Sequence, residues 1–296
     1  MKYVAITGGL GNQMFIYAFC EELRARGLKT ALFVLHRANS KKYGHQGYEL
    51  EKIFNIYPYD GFISSIAVSF LSLYSQILRF FPVKRRADLY KIIGIHIVQV
   101  PENFIYYPEV FSFKSKHELF RGTWQSERFF EHAKEKVRNA FVFNTVLISS
   151  KTGEIARQMS ALTSVSIHIR RGDYLSLQYI DGFGNICTME YYNRAIEFLK
   201  EKLVNPHFYV FTDDIMWVKT NFGIEDATYI EHNTGSDSWQ DMYLMSQCKY
   251  NIIANSSFSW WGAWLNSNPE KIVIAPKKWW NRFEKDDVVP DNWIRI

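Results

Sequence analysis

The residues best suited to bind an anion lie at the end of the run SVSIHIR and in the motif HIRRGDY, which overlaps that end. Alternation along a strand places His168 and Arg170 on one face, and Arg171 and Asp173 follow. Two adjacent guanidinium groups are costly to bury without an anion, and each can bind two phosphate oxygens at once. We expect Arg170 and Arg171 to bind phosphate, and the alternative is a surface ion pair with Asp173.

A second candidate is the turn GGLGNQ, at positions 8–13 between an apolar strand and a helical run. Gly9 and Gly11 would let the backbone approach a ligand, and the start of the helix offers free N–H groups. Asn12 and Gln13 add side-chain hydrogen bonds. Because the third glycine of the dinucleotide fingerprint and the P-loop lysine are both missing, a tight turn without a ligand remains an alternative.

A third candidate, the sequence NSSFS, again joins an apolar strand to a helix. Asn255, Ser256 and Ser257 offer small polar groups where the helix begins, just before Phe258, and this combination suits a phosphate group. The simpler interpretation is that Ser257 or Ser259 only caps the helix.

Acidic residues also lie at the end of a predicted strand and at the start of a predicted helix. Asp213 and Asp214 close the run FYVFTDD, and Asp241 lies upstream of the serine cluster at the start of a helix. A metal-binding Asp-x-Asp motif has a spacer between its carboxylates, whereas these two are adjacent. We therefore predict no metal site here.

The composition is that of an ordinary globular protein, with 296 residues, 47% hydrophobic and 22% charged. The net charge of +5 comes from scattered basic residues, which argues against extended nucleic-acid binding. Three widely spaced cysteines argue against a disulfide framework or structural zinc and fit a reducing compartment.

The elements that must position these residues are short apolar strands alternating with helices, which indicates parallel sheets covered on both faces. We predict two α/β domains, 1–150 and 151–296, with a cleft between them. Residues from about 61 to 143 have a mostly helical pattern, with one extended piece near 96–100.

The segment 62–81 is apolar, carries a stripe of serines and precedes a basic cluster. This pattern predicts an amphipathic helix rather than a membrane-spanning one. It would either pack on its own domain or contact a membrane surface peripherally. We expect a cytoplasmic protein, with or without contact to the inner membrane.

Taken together, the motifs resemble glycosyltransferase family 11, the α-1,2-fucosyltransferases. The matching runs occur in order along nearly the whole chain, and they include GGLGNQMFIYA, RGTWQSERFF, HIRRGDY, ICTMEYYNRAI, VFTDD and DMYLMSQCKYNIIANSSFSWWGAWL. The pair HIRRGDY and ANSSFSWW makes this resemblance specific.

The resemblance implies a GT-B fold, in which two Rossmann-like domains face each other across a cleft. The second domain would hold GDP-β-L-fucose, and the first would lie on the acceptor side. The implied reaction is an inverting, metal-independent transfer of L-fucose to the 2-hydroxyl of a terminal galactose in a surface polysaccharide or oligosaccharide, without a cofactor.

The resemblance also implies roles for single residues. Arg170 would contact the β-phosphate of GDP, and His168 and Asp241 would lie at the guanosine end. Asn12 would lie across the cleft, near the sugar and the β-phosphate. The complete predicted donor site comprises Gly9, Gly11, Asn12, Gln13, His168, Arg170, Arg171, Asp213, Asp241, Asn255, Ser256, Ser257 and Phe258.

The general base is not assigned by these motifs. Asp173 is the candidate closest to Arg170 in sequence, and its alternative role is to orient Arg171 or the turn. A reaction without a strong base is also open. Two other functions remain alternatives, a catalytically silent GDP- or sugar-binding protein of this fold and a GDP-sugar transferase of different linkage.

Overall fold

The computed structural model describes residues 1–34, 47–58, 62–224 and 226–296. The chain divides into two compact units, Met1–Asn144 and Thr145–Ile296. The sequence suggests a boundary near residue 150, which is the first residue of a helix of the second unit.

The first unit contains a parallel four-stranded sheet in the order β2-β1-β4-β3. Its strands are β1 (Lys2–Ile6), β2 (Thr30–Val34), β3 (Ile95–Gln99) and β4 (His117–Arg121). Its helices are α1 (Leu10–Ala25), α2 (Leu50–Phe54), α3 (Phe62–Ile77), α4 (Val83–Ile92) and α5 (Lys134–Ala140). Helix α1 packs on β1 and β2, and its apolar side chains from Leu10 to Leu23 are buried.

Strand β4 lies within the region for which the sequence predicts mostly helix, and that prediction is wrong here. The strand reads HELFR, and its Glu118 is almost completely buried. The Lys2 ammonium on β1 lies 2.7 Å from the Glu118 carboxylate and neutralises it. A buried charge of this kind interrupts the apolar pattern, so the strand could not be recognised without its partner.

The second unit contains a parallel six-stranded sheet in the order β10-β9-β8-β5-β6-β7. Its strands are β5 (Thr163–Ile169), β6 (Pro206–Thr212), β7 (Ala227–Ile230), β8 (Tyr250–Ile252), β9 (Val273–Ala275) and β10 (Ile294–Arg295). Its helices are α6 (Ser150–Ala161), α7 (Ile180–Phe183), α8 (Met189–Lys202), α9 (Ile215–Asn221), α10 (Trp239–Gln247) and α11 (Ser257–Leu265).

The strand order of this sheet reverses between β5 and β8. From β5 the chain proceeds through β6 and β7 to one edge, and then through β8, β9 and β10 to the other. This is the order of a doubly wound, Rossmann-type sheet, in which ligands bind beyond the carboxyl ends of the strands at the reversal. The arginine motif follows β5 and the serine motif follows β8, so the topology brings both to that point.

Helix α3 begins at Phe62 and continues into a 3₁₀ turn, Leu78–Phe80. Val68 and Leu71 are buried on one side of it, while Phe70 and Leu73 on another side are more than half exposed. No helix within the described ranges is both long and apolar enough to span a bilayer.

Candidate active site

The loop after β5 is tied to the loop after β6 through Asp213. The Arg170 guanidinium lies 3.2 Å from one Asp213 oxygen, and the Arg171 backbone N–H donates to the other at 2.9 Å. The Arg170 side chain is about one third exposed at the carboxyl end of the sheet. Asp213 therefore fixes the position of Arg170, and the partly exposed guanidinium can be reached by a ligand.

Arg171 is held differently from its neighbour. Its guanidinium stacks 3.4 Å from the centre of the Trp217 ring, and its Nε lies 3.3 Å from an Asp214 oxygen. Among the described side chains, Arg171 thus forms its ion pair with Asp214. The side chain of Asp173 lies outside the described part of the structure, although its backbone begins the 3₁₀ turn Asp173–Leu175.

His168 lies on β5 and is almost completely buried. Burial, with help from the positive Arg170, lowers its pKa to about 3, so the imidazole is neutral at physiological pH. Its ring centre lies 6.0 Å from that of Phe258 on α11. Its Nδ1 is buried without a hydrogen-bond partner among the described residues, which is unusual for a native structure.

The serine motif forms the start of α11 in a way that differs in detail from the sequence prediction. The cap is Ser256, whose Oγ accepts the Phe258 N–H at 3.4 Å, rather than Ser257 or Ser259. Ser257 is the first residue of the helix and is half-buried. The helix start therefore lies directly beyond β8, at the strand-order reversal.

Asn255 is buried and uses its amide group within the protein. Its Nδ2 donates to the Phe183 and Trp279 carbonyls at 3.1 and 3.4 Å, and its Oδ1 accepts from the Cys187 thiol at 3.5 Å. The Tyr174 hydroxyl donates to the Asn255 carbonyl at 3.0 Å and so connects the loops after β5 and β8. These contacts shape the site instead of offering the Asn255 amide to a ligand.

Asp241 lies in the first turn of α10, where burial raises its pKa to about 7. Its Oδ1 accepts from Asn233 Nδ2 at 2.8 Å, and Thr152 donates to Asn233 Oδ1 at 3.1 Å. A chain of hydrogen bonds thus fixes one oxygen of a carboxyl group that changes its charge near neutral pH.

In the first unit, the glycine turn serves to hold Asn12. Gly8 has a left-handed backbone (φ +80°), and a Cβ there would lie 2.6 Å from the Asn12 amide nitrogen. The Asn12 Oδ1 accepts from Gln125 Nε2 at 2.6 Å. Gly9 caps α1, and Gly11 is buried inside it.

Gln13 is completely buried and joins this turn to residues 47–49. Its Nε2 donates to the Gly8 and Gly47 carbonyls at 2.9 and 2.7 Å, and its Oε1 accepts the Glu49 N–H at 3.0 Å. The Leu10 N–H donates to the Glu49 carboxyl, whose pKa burial raises to about 7. The start of α1 therefore faces a protein carboxyl group where the sequence suggested free N–H groups for a ligand.

Sequence reasoning missed the contribution of residues 121–125, which end β4 and continue beyond it. Gln125 holds Asn12, and three buried polar atoms beside it, Arg121 Nε, Thr123 Oγ1 and Trp124 Nε1, have no hydrogen-bond partner among the described residues. The run RGTWQSERFF belongs to the resemblance, but nothing in its residue types predicts a contact with the glycine turn.

The described residues contain no group of three or more His, Cys, Asp or Glu side chains arranged to hold a metal. The three cysteines are free thiols. Independence from metal remains a prediction about the reaction itself.

Comparison with known proteins identifies the class. Over 88% of this chain and 90% of the other, the fold matches the crystal structure of NodZ α-1,6-fucosyltransferase co-crystallized with GDP, with a TM-score of 0.52 and 12% identity. Together with the two parallel α/β units, this match confirms the GT-B fold. The chain belongs to glycosyl transferase family 11, whose family model matches residues 1–296.

Three curated relatives are similar to this chain over different shares of their length. An α-1,2-colitosyltransferase from Escherichia coli is 35% identical over 98% of this chain and 97% of its own length. The O-antigen biosynthesis glycosyltransferase WbnK, also from Escherichia coli, is 31% identical over 99% and 100%. Human galactoside α-(1,2)-fucosyltransferase 1 is 27% identical over 46% of this chain and 40% of its own length.

Proposed function

We propose that this glycosyltransferase transfers L-fucose from GDP-β-L-fucose, with inversion, to the 2-hydroxyl of a terminal galactose in a surface polysaccharide or oligosaccharide. The observation that carries the proposal is that the neighbouring strands β5 and β8 lead to the partly exposed Arg170 and to the helix start at Ser256. The same unit contains Asp241, whose pKa burial raises to about 7. The named activities of the relatives, galactoside fucosyl transfer and α-1,2 linkage, support this choice.

Arg170 is proposed to stabilise the leaving group. As the bond to GDP breaks, negative charge collects on the β-phosphate oxygen, and a fixed guanidinium lowers the energy of that charge. Asp213 holds Arg170 and the Arg171 backbone together, so the cation is in place before the substrate arrives. The first turn of α11, with Ser256 and Ser257, would add hydrogen bonds to the diphosphate.

The guanosine end is proposed to lie at His168 and Asp241. A carboxylate can accept two parallel hydrogen bonds from the N1–H and the 2-amino group of guanine. Asp241 has one oxygen held by Asn233, which fixes the direction of the carboxyl plane. His168 would offer its neutral ring and its unsatisfied Nδ1, and Phe258 would provide an apolar face beside it.

The roles proposed for Gln13 and Asn255 are indirect. Both side chains are buried, and the protein itself provides their hydrogen-bond partners. We therefore assign them to building the glycine turn and the loops after β5 and β8. Asp173 remains the candidate base, and a route in which an oxocarbenium-like sugar needs no strong base remains its alternative.

A second donor is favoured by a specific finding, the 35% identity to a colitosyltransferase along almost the whole chain. Colitose is 3-deoxy-L-fucose, so the two donors differ by one hydroxyl group. A site that hydrogen-bonds this hydroxyl would reject the deoxy sugar strongly, whereas an apolar pocket would discriminate only weakly.

The deciding experiment is a transfer assay with GDP-fucose and GDP-colitose in parallel, using lactose and N-acetyllactosamine as acceptors in excess EDTA. Mass spectrometry and digestion with an α-1,2-specific fucosidase identify the product. A fucosylated, fucosidase-sensitive product supports donor, linkage and metal independence together. Preference for GDP-colitose, a resistant product, or GDP binding without turnover would each replace the proposal by the corresponding alternative.

We further propose that α3 and the turn after it contact an anionic membrane surface. One side of this segment exposes a continuous apolar ridge, which consists of Ile66, Phe70, Leu73, Ile77 and Phe80. Exposed cations lie next to it at Arg79, Lys84 and Arg85. Apolar insertion combined with attraction to anionic headgroups is the usual basis of peripheral binding.

Co-sedimentation with vesicles tests this contact. Binding should require phosphatidylglycerol, weaken in high salt and fall at least severalfold in the double variant Phe70→Ser/Leu73→Ser. Met216→Ser, which changes an exposed methionine of the second unit, is the matched control. Equal binding of all three proteins, or binding only to neutral vesicles, would contradict the contact.

A further inference from the structure

The hydrogen bond between Asn12 and Gln125 fixes the orientation of the Asn12 amide. Gln125 Nε2 donates to the Asn12 oxygen at 2.6 Å, so the oxygen edge of the Asn12 amide faces Gln125. The Asn12 Nδ2 consequently points the other way, and it makes no hydrogen bond to a described residue. Asn12 is half-buried at the carboxyl end of β1, so this N–H₂ group is a donor available to a ligand.

Packing around Trp124 fixes the conformation of the segment that carries Gln125. Trp124 has a left-handed backbone (φ +51°), which is unfavourable for a bulky residue. Its ring is buried and stacks on Phe19 of α1, with centroids 4.1 Å apart and the planes within 10°. A Cβ at Gly122 would lie only 3.1 Å from this ring.

These contacts have a common consequence. The aromatic stack stabilises the left-handed backbone at Trp124. The next residue, Gln125, then contacts Asn12 in the first turn of α1. A left-handed backbone at such a side chain persists only where the surrounding structure imposes it, and it is concentrated at functional sites.

We propose that Gln125 is a positioning residue, which orients the Asn12 amide so that its Nδ2 donates to a substrate of the transfer reaction. This role rests on the proposed function, because it assumes that Asn12 contacts a substrate of that reaction. Gln125 itself need not touch any substrate. It determines which edge of Asn12 the substrate meets.

The variant Gln125→Glu tests this role with little change of shape. An ionised Glu cannot donate to the Asn12 oxygen, but it can accept from Asn12 Nδ2, so the amide would turn over. We expect kcat/KM for transfer to fall about 10- to 100-fold, up to the loss caused by removing one oriented donor. The exposed Gln158→Glu on α6 adds the same charge elsewhere and should retain wild-type activity.

A double-mutant cycle with Asn12→Ala separates positioning from a general effect on folding. If Gln125 acts through Asn12, then Gln125→Glu should change kcat/KM less than about threefold in the Asn12→Ala background. A loss of stability would instead lower activity equally in both backgrounds. Gln125→Met, which removes the donor without adding charge, repeats the cycle if the Glu variant unfolds.

The outcomes distinguish the two proposals. No turnover of GDP-fucose by the wild-type protein overturns the proposed function, and this role with it. Turnover by the wild type with additive effects of the two substitutions overturns only the role of Gln125. Strong non-additivity, with unchanged melting temperatures, supports it.

Discussion

At the scale of single residues, the two adjacent arginines have different environments. Arg171 stacks on Trp217 and pairs with Asp214, which is a common arrangement for stabilising a loop. Arg170 pairs with Asp213 beyond the carboxyl end of β5, and its side chain is about one third exposed. The sequence makes the two arginines equivalent candidates, whereas the structure gives them different partners, and we propose the substrate contact for Arg170.

We predict that Arg170→Lys is nearly as damaging as Arg170→Ala. A lysine provides the same charge but cannot bind two oxygens in one plane, so both variants should lose about 10²–10³-fold in kcat. Steady-state transfer rates with GDP-fucose measure the effect. Arg194→Lys, at an exposed position of α8, controls for the substitution itself. Turnover close to wild type in the Arg170→Lys protein would refute the assignment.

The raised pKa of Asp241 leads to a prediction of how the affinity for GDP-fucose depends on pH. With a pKa of about 7 in the free protein, the carboxyl must lose a proton to accept hydrogen bonds from guanine, so binding releases a proton. Affinity for GDP-fucose should therefore rise with pH, by about tenfold between pH 6 and pH 8. The donor itself does not titrate in this range because its phosphates are esterified.

Calorimetric titrations at several pH values provide the test, with Asp241→Asn as the control. The Asn variant should bind more weakly and lose the pH dependence. Glu49 in the first unit also has a pKa of about 7, so a slope that persists in Asp241→Asn would assign the effect to another group. His168 stays neutral throughout this range and should not contribute.

At the scale of elements, the loop after β5 depends on a close contact at Gly172. A Cβ there would lie 2.7 Å from the Asp213 oxygen that pairs with Arg170. The glycine thus allows the carboxylate to reach both the Arg171 backbone and the Arg170 side chain. Its role is steric.

We predict that Gly172→Ala displaces Asp213 and lowers transfer about tenfold or more, since a shift of about 1 Å at a catalytic group can cost up to 10²-fold. The matched control is Gly153→Ala in α6, where nothing lies within 4 Å of the added Cβ. Alanine in a helix should raise stability there by about 0.5–1 kcal/mol and leave activity unchanged. Equal activity of both variants would show that the Asp213 contact does not matter.

At the scale of the whole molecule, each unit has its own sheet and its own buried apolar core. The donor elements that the proposal uses for GDP all lie in Thr145–Ile296. Ligand binding should therefore stabilise this unit directly, by about 2.7 kcal/mol at a ligand concentration 100 times the Kd.

Hydrogen exchange with saturating GDP tests this division. We expect slower exchange at the ends of β5 and β8 and at the start of α11. Amides in β2 and β3 of the first unit should change little. Protection centred on the first unit would show that GDP binds at the glycine turn instead.

Elements whose signals are local can be predicted from the sequence alone. Apolar runs predict β5, β6 and β7 and the strand-to-motif connections, because buried parallel strands are usually near-continuous hydrophobic runs. The motifs also indicate the family, because their residue types and their order can be read from the sequence without knowledge of tertiary contacts. The charged strand β4 was the exception, since its Glu118 is compatible with burial only beside Lys2.

Which side chains meet depends on the tertiary fold. Asn12 and Gln125 are separated by 113 residues in the chain, and they come together because β1 and β4 are neighbours in the sheet. The pairing of Arg171 with Asp214 likewise depends on the adjacency of β5 and β6. Periodicity reports burial along one segment, whereas hydrogen bonds depend on strand order and loop geometry, which no single segment contains.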